Sequence, residues 1–193
     1  MATVTPKFRV SYPTVFTPRL NKFKSTKEEP VYEYSVQALF EKDADFTALE
    51  ALEKAAKIKR WGVDESKWPK NLRSPFKDQG DRAKDVNGKM VLPNGCVEGA
   101  QYLDLKSKEK PAVVDGRLKQ ITDESQFYAG CYALASIIAY TYDVTGNRGV
   151  SFGLMHLQKV AEGEPFGNRT TPEQDFSPIE GSGEDEDADN LFN

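Results

Sequence analysis

Cations beside flat rings are the residues of this chain best suited to chemistry. Lys22-Phe23-Lys24 is the most compact set, and Arg60-Trp61, Lys67-Trp68, Phe76-Lys77 and an Arg148 on a turn repeat the theme. That chemistry is recognition, not bond making. A cation neutralises a backbone phosphate while a ring stacks on an unpaired base, at roughly 1 to 3 kcal/mol per base and with little regard to which base it is. Signatures of covalent catalysis are missing: there is no Gly-rich phosphate loop ending in Lys-Ser/Thr, no G-x-S-x-G and no H-E-x-x-H. The single His156 sits in a strand-like run with no nucleophile in its sequence context. Asp43, Asp45, Asp78, Asp81 and Asp104 lack metal-ligand spacing, and Cys96 and Cys131 lie too far apart to suggest a zinc site or a disulfide framework. A non-enzymatic protein without metal or cofactor is expected, its two thiols free and buried.

The charge is divided along the chain. From Glu173 to the terminus there are eight acidic residues and no Lys or Arg, so setting this stretch aside turns a formal −4 into +4 for residues 1–172. Residues 1–27 hold Lys7, Arg9, Arg19, Lys22, Lys24 and Lys27 and no acid. A basic body suits a polyanion, and an acidic tail could compete for the same surface. The tail, residues 173–193, has too little apolar area to offset its ordering entropy and is expected to be disordered. Its apolar pair, Leu191 and Phe192, suits a partner's pocket better than a fold. No run approaches the ~20 apolar residues of a membrane span, and MATVTPKFRV has no signal-peptide stretch, so a soluble intracellular protein is expected.

The elements that must position these residues read as follows. A body of about 170 residues suits one domain. FRVSYPTVF alternates Phe8, Val10 and Tyr12 against Arg9 and Ser11 as a strand would, until Pro13 and Pro18 interrupt it. VYEYSVQALF is a second strand, with Tyr34 and Phe40 facing the interior. A helix over about residues 45–60 puts Phe46, Leu49, Leu52 and Ala56 on one face, with Thr47 and Glu50 able to form a capping box. Residues 61–110 lack periodicity and read as extended loops. A short strand at 112–114 with an Asp115-Gly116 turn, a long strand at 128–144, a turn at 145–149 and a hairpin partner that brings Phe152 inward complete the pattern. Five or so strands and one helix between the second and third point to a small closed β-barrel.

The long strand leaves one question open. Tyr132, Leu134, Ser136, Ile138, Tyr140 and Tyr142 share one face, and Cys131, Ala133, Ala135, Ile137, Ala139 and Thr141 the other. Small residues inside would turn the tyrosines out toward a partner subunit or a nucleic acid; tyrosines inside would make them core.

RVSYPTVFTP, YEYSVQALFEK and the run from KPAVVDGRLKQ through YAGCY, GNRGVSFGL and LQKVAEGEPFG, followed by an acidic tail with a near-terminal Phe, resemble the OB-fold single-stranded-DNA-binding proteins of tailed bacteriophages. The resemblance covers nearly the whole chain. It implies a mainly β, OB-fold-like five-stranded barrel with one embedded helix, long loops and a disordered acidic tail. It further implies a protein that coats single-stranded DNA without sequence preference during phage replication and recombination, in the cytoplasm of the infected bacterium. Replication or recombination proteins would be recruited through the tail residues Glu184, Asp185, Glu186, Asp187, Asp189, Leu191 and Phe192. The residue types themselves assign the DNA contacts to Lys7, Arg9, Lys22, Phe23, Lys24, Arg60, Trp61, Arg73, Lys77, Tyr132, Tyr140, Tyr142 and Arg148. The alternative is an OB-fold protein-interaction module with a solubilising tail, and dimerisation stays open in either case.

Overall fold

A computed structural model of the chain describes residues 2–144 and 146–167; the acidic tail and Thr145 lie outside the described residues. A two-residue β1 (Thr3–Val4) precedes β2 (Phe8–Leu20), whose Phe8 and Val10 point into the core. The prolines do not end this strand. β2 runs on through Pro13 and Pro18, and its register against β3 (Tyr32–Leu39) shifts between Ser11 and Thr14 and again between Thr14 and Arg19. A residue without an N–H is tolerated where the ladder is already broken.

Helix α1 (Thr47–Trp61) seats Leu49 in the core, with Phe46 and Leu52 packed against it. The expected capping box does not form. Asp45 does that work instead, its carboxylate accepting from the Thr47 N–H at 2.9 Å and the Thr47 hydroxyl at 2.6 Å. Those bonds hold the Asp45 carboxyl below the usual carboxylate range. The helix stops at Gly62, whose φ of 88° removes it from helical geometry.

The stretch read as loops contains more order than its composition suggests. After β4 (Lys77–Asp78), β5 (Lys84–Val86) and β6 (Lys89–Val91) form a hairpin on Asn87 and Gly88, both at positive φ. Asn-Gly is the strongest short hairpin signal, but the flanking charges mask the alternation that would frame it. More consequential is β7 (Gln101–Ser107), in which Leu103 and Leu105 are buried while Tyr102, Asp104 and Lys106 face outward. β8 (Ala112–Val114), β9 (Tyr132–Val144) and β10 (Asn147–Ala161) follow. The long strand begins at Tyr132, not Tyr128, because Gly130, at φ 115°, turns the chain just ahead of it.

Five strands close on themselves in the order β9, β2, β3, β7, β10 and back to β9. All pairings in the ring are antiparallel except β7 with β10. β1 adds to β9, and β8 lies parallel along β10. The interior is narrow, and it takes the small-residue face of β9: Cys131, Ala133, Ala135 and Ile137 are buried, which turns Tyr132, Tyr140 and Tyr142 outward. Phe40 and Phe152 are buried as their alternation required, whereas Tyr34 is only half-buried. Cys131 is buried and Cys96 half-buried, both free. The architecture is mainly β with one α-helix among the described residues, and is OB-fold-like.

Candidate nucleic-acid interface

Outward-facing residues of the ring need support before they can form a site, and most of it comes from the segment after α1. Phe46, Phe76 and Phe152 meet edge to face, with centroids 5.3 Å and 5.8 Å apart, so Phe76 is locked between the helix and β10. Just before it, the Arg73 N–H donates to the Arg148 carbonyl at 2.9 Å, and the Arg73 carbonyl accepts from the Val150 N–H at 3.0 Å. This short bridge brings Arg73 against Gly149 so closely that any Cβ on residue 149 would overlap the Arg73 carbonyl. The segment becomes one wall of a groove.

The groove holds about 440 Å³. Arg73, Ser74, Pro75 and Lys77 line one side; Leu103, Asp104 and Lys106 of β7, with Lys24 from the β2–β3 loop, line the next. Tyr140, Tyr142 and Val144 of β9, and Asn147, Val150, Ser151 and Phe152 of β10, complete it. Four cations and two tyrosines therefore face one space, although they come from segments far apart in sequence.

The cations are of two kinds. Lys77 pairs with Asp104 at 2.6 Å, and Asp104 also accepts from the Gln37 amide at 2.8 Å. Burial would lower the Lys77 pKa, but the bond to Asp104 and its charge outweigh this and raise it, so the ammonium stays charged. Lys24 pairs with the buried Glu33 at 2.6 Å. Burial pushes the Glu33 carboxyl up; hydrogen bonds from Lys24 and Asn21, with the charges of Lys24 and Lys106, more than reverse that and hold it below the usual range. Arg73 and Lys106 make no ion pair within 4 Å among the described residues.

Other residues expected at the site are placed as follows. Phe23 is fully exposed beside Lys24, on a loop that Asn21 fixes by accepting from the Phe23 and Lys24 N–H groups at 3.0 Å and 3.2 Å. Lys22 is exposed on the same loop. Arg148 stands at the β9–β10 hairpin, paired with Asp143 at 3.1 Å, and its carbonyl is what holds Arg73. Arg60 and Trp61 occupy the last turn of α1 and do not line the groove.

Lys7, Arg9 and Tyr132 form a separate cluster. Lys7 and Arg9 stand 5.0 Å and 4.9 Å from the centre of the Tyr132 ring, and Arg9 is 4.6 Å from that of Phe166. Arg9 also donates to the carbonyls of Gly130 at 2.7 Å and Glu164 at 2.6 Å, so it ties residues 164–166 to the ring of strands. Glu184, Asp185, Glu186, Asp187, Asp189, Leu191 and Phe192 lie outside the described residues. Lys106 is absent from the contacts that the sequence suggests, and Asp104 is suggested there only as a carboxylate without metal-ligand spacing. Their signal was the alternation of polar residues with Leu103 and Leu105 in β7.

Comparisons with known proteins bear on the family and the fold. The family model described as "Enterobacter phage Enc34, ssDNA-binding protein" matches residues 1–191. A curated relative, protein p50 of Acyrthosiphon pisum secondary endosymbiont phage 1, is 31% identical over 90 residues, 46% of this chain and 48% of its own length. The chain thus spans about half the length of the curated relative it matches. Among solved structures, the single-stranded DNA-binding protein from bacteriophage Enc34 in complex with ssDNA superposes with a TM-score of 0.62 at 18% identity, over 85% of this chain and 88% of that one. Bacteriophage T7 gp2.5, a single-stranded DNA-binding protein, superposes with a TM-score of 0.57 at 14% identity, over 88% of this chain and 97% of that one. At those identities the likeness is one of fold.

Proposed function

The chain belongs to the family of the Enterobacter phage Enc34 ssDNA-binding protein, and from that premise we propose that it binds single-stranded DNA in the groove between β7, β9, β10 and the Arg73 segment. The observation that carries this reading is the convergence of Arg73, Lys24, Lys77 and Lys106 with Tyr140 and Tyr142 on one open space. Phosphates follow the cations, and bases stack on the tyrosines and on Phe23 at the loop. Stacking and charge accept every base, so no sequence preference results. Arg73 and Lys106 meet phosphates directly, whereas Lys24 and Lys77 exchange a carboxylate partner for a phosphate.

The protein acts by coating the strand, without chemistry on it, during phage DNA replication and recombination in the cytoplasm of the infected cell. Its acidic tail, with eight carboxylates and no base, competes for the basic groove as a tethered anion at roughly millimolar effective concentration. Binding of DNA releases the tail, whose Leu191 and Phe192 then recruit a replication or recombination protein.

Titration of the full chain with labelled oligo-dT at several salt concentrations tests the groove reading. The logarithm of the affinity is expected to fall linearly with log salt, by about 0.7 per phosphate neutralised. Absence of salt-dependent binding would reject the reading in favour of a protein-interaction module. Truncation after Pro172 is expected to tighten binding at low salt, where screening is weak; an unchanged affinity there would rule out competition by the tail.

A further inference from the structure

We propose that the strand's path continues beyond Lys77, over Tyr102 and Arg82, to a base-stacking platform at Tyr12; this rests on the reading of the groove as the single-strand site. Lys77, which lines the groove, also stands 5.7 Å from the centre of the Tyr102 ring. The Arg82 guanidinium lies 5.2 Å from Tyr102 and 5.5 Å from Tyr12. Cation and ring therefore alternate without a break from the groove outward.

Two features show that this row is held in place. Arg82 belongs to a turn that follows the fully buried Gln79, whose amide donates to the carbonyls of Phe40 and Gln101 and accepts from the Val97 N–H, all within 2.8 Å. The guanidinium itself donates to the Cys96 sulfur at 3.3 Å. Tyr12, in turn, sits at the first register break of β2 with φ 45°, a conformation unfavourable for an aromatic residue, and the residue is 60% exposed. Packing gains little from an exposed ring held under strain. A base laid on its open face would gain a stacking partner, with Arg82 beside it for the next phosphate, which is the repeat that single-strand recognition requires.

The test uses the full chain and oligo-dT from about 4 to about 16 nucleotides, the span of single OB-fold sites. Tyr12→Asn removes the ring and installs a residue at ease with positive φ; Tyr12→Phe keeps the ring. Short oligonucleotides confined to the groove are expected to bind Tyr12→Asn as they bind the parent. Longer ones should lose about 5- to 150-fold, the equivalent of one stacked base, and Tyr12→Phe should restore them. Removing no charge, Tyr12→Asn should leave the salt slope unchanged, whereas Arg82→Gln should lower it for long oligonucleotides alone. If Tyr12→Asn binds every length like the parent while Tyr142→Ala weakens all of them, the extension is wrong and the groove stands. If Tyr142→Ala is also without effect, the groove reading falls and the extension with it.

Discussion

Replacing Gly149 with Ala adds one methyl group, removes no charge and no ring, and is expected to damage both stability and DNA binding. The new Cβ would overlap the Arg73 carbonyl oxygen and stand only 3.0 Å from the Arg73 carbonyl carbon and Cβ. Relief requires the Arg73 segment to leave β10, which stretches the Arg73-to-Arg148 bond of 2.9 Å and the Val150-to-Arg73 bond of 3.0 Å. Two backbone hydrogen bonds at roughly 0.5–1.5 kcal/mol each give a loss of about 1–3 kcal/mol. For a chain of this size that lowers the melting temperature by roughly 2–12 °C. If Arg73 meets a phosphate as proposed, the same displacement takes it off the strand's path, and the salt slope for oligo-dT should fall by about 0.7. Differential scanning calorimetry and salt titrations of the variant, with Gly116→Ala as a control whose Cβ meets nothing within 4 Å, read both effects. A Gly149→Ala protein that melts and binds like its parent would refute the claim that the bridge builds the groove wall.

Three further outcomes are expected. Arg73→Ala and Lys106→Ala should each lower the oligo-dT salt slope by about 0.7, and the Lys22 and Lys24 double substitution to Ala should flatten it as well; slopes equal to the parent's would remove those cations from the phosphate path. Phe23→Ala should weaken oligo-dT and oligo-dA alike by roughly 1 to 3 kcal/mol, with no change in melting temperature, since the ring is fully exposed; an unchanged affinity would leave the loop out of the site. Because the Glu33 carboxyl lies below its ordinary value of 4.5 in the folded chain, its contribution to stability is present above that pH and is lost as acid protonates it; the melting-temperature gap between parent and Glu33→Gln should therefore narrow as pH drops below about 4.5, and a constant gap would contradict the Lys24–Glu33 account.

What could be read in the sequence was local periodicity. Val36 and Ala38, Phe8 and Val10, and the small-against-tyrosine faces of the long strand each follow a period of two, and the helix face from Phe46 to Ala56 follows one of 3.6. The orientation of the long strand was not local information. Either face of β9 is chemically plausible as core, and only closure of the ring around Phe8, Leu103 and Phe152 selects the alanines. β7 was hidden for a different reason: its two leucines are too few, within a region of Pro, Gly and charge, to announce a strand before its neighbours are known. Arg9 shows the limit most plainly. A cation in a basic N-terminal strand suits a phosphate in sequence terms, yet here its donors reach backbone carbonyls 121 and 155 positions away.

The two carboxylates inside a site assigned to a polyanion follow from the same physics. Lys24 and Lys77 sit on flexible four-carbon stems, and a free ammonium there would sample many positions before a phosphate arrived. Pairing with Glu33 and Asp104 holds each one in place, and Gln37 in turn holds Asp104. The cost appears on binding, because a phosphate that takes over either lysine leaves a carboxylate nearby and part of the gain is lost to repulsion. Arg73 and Lys106, unpaired within the described structure, carry no such penalty. In the proposed groove two cations are free for phosphates and two are held ready by carboxylates, so the salt slope is expected to stay below that of four unpaired cations.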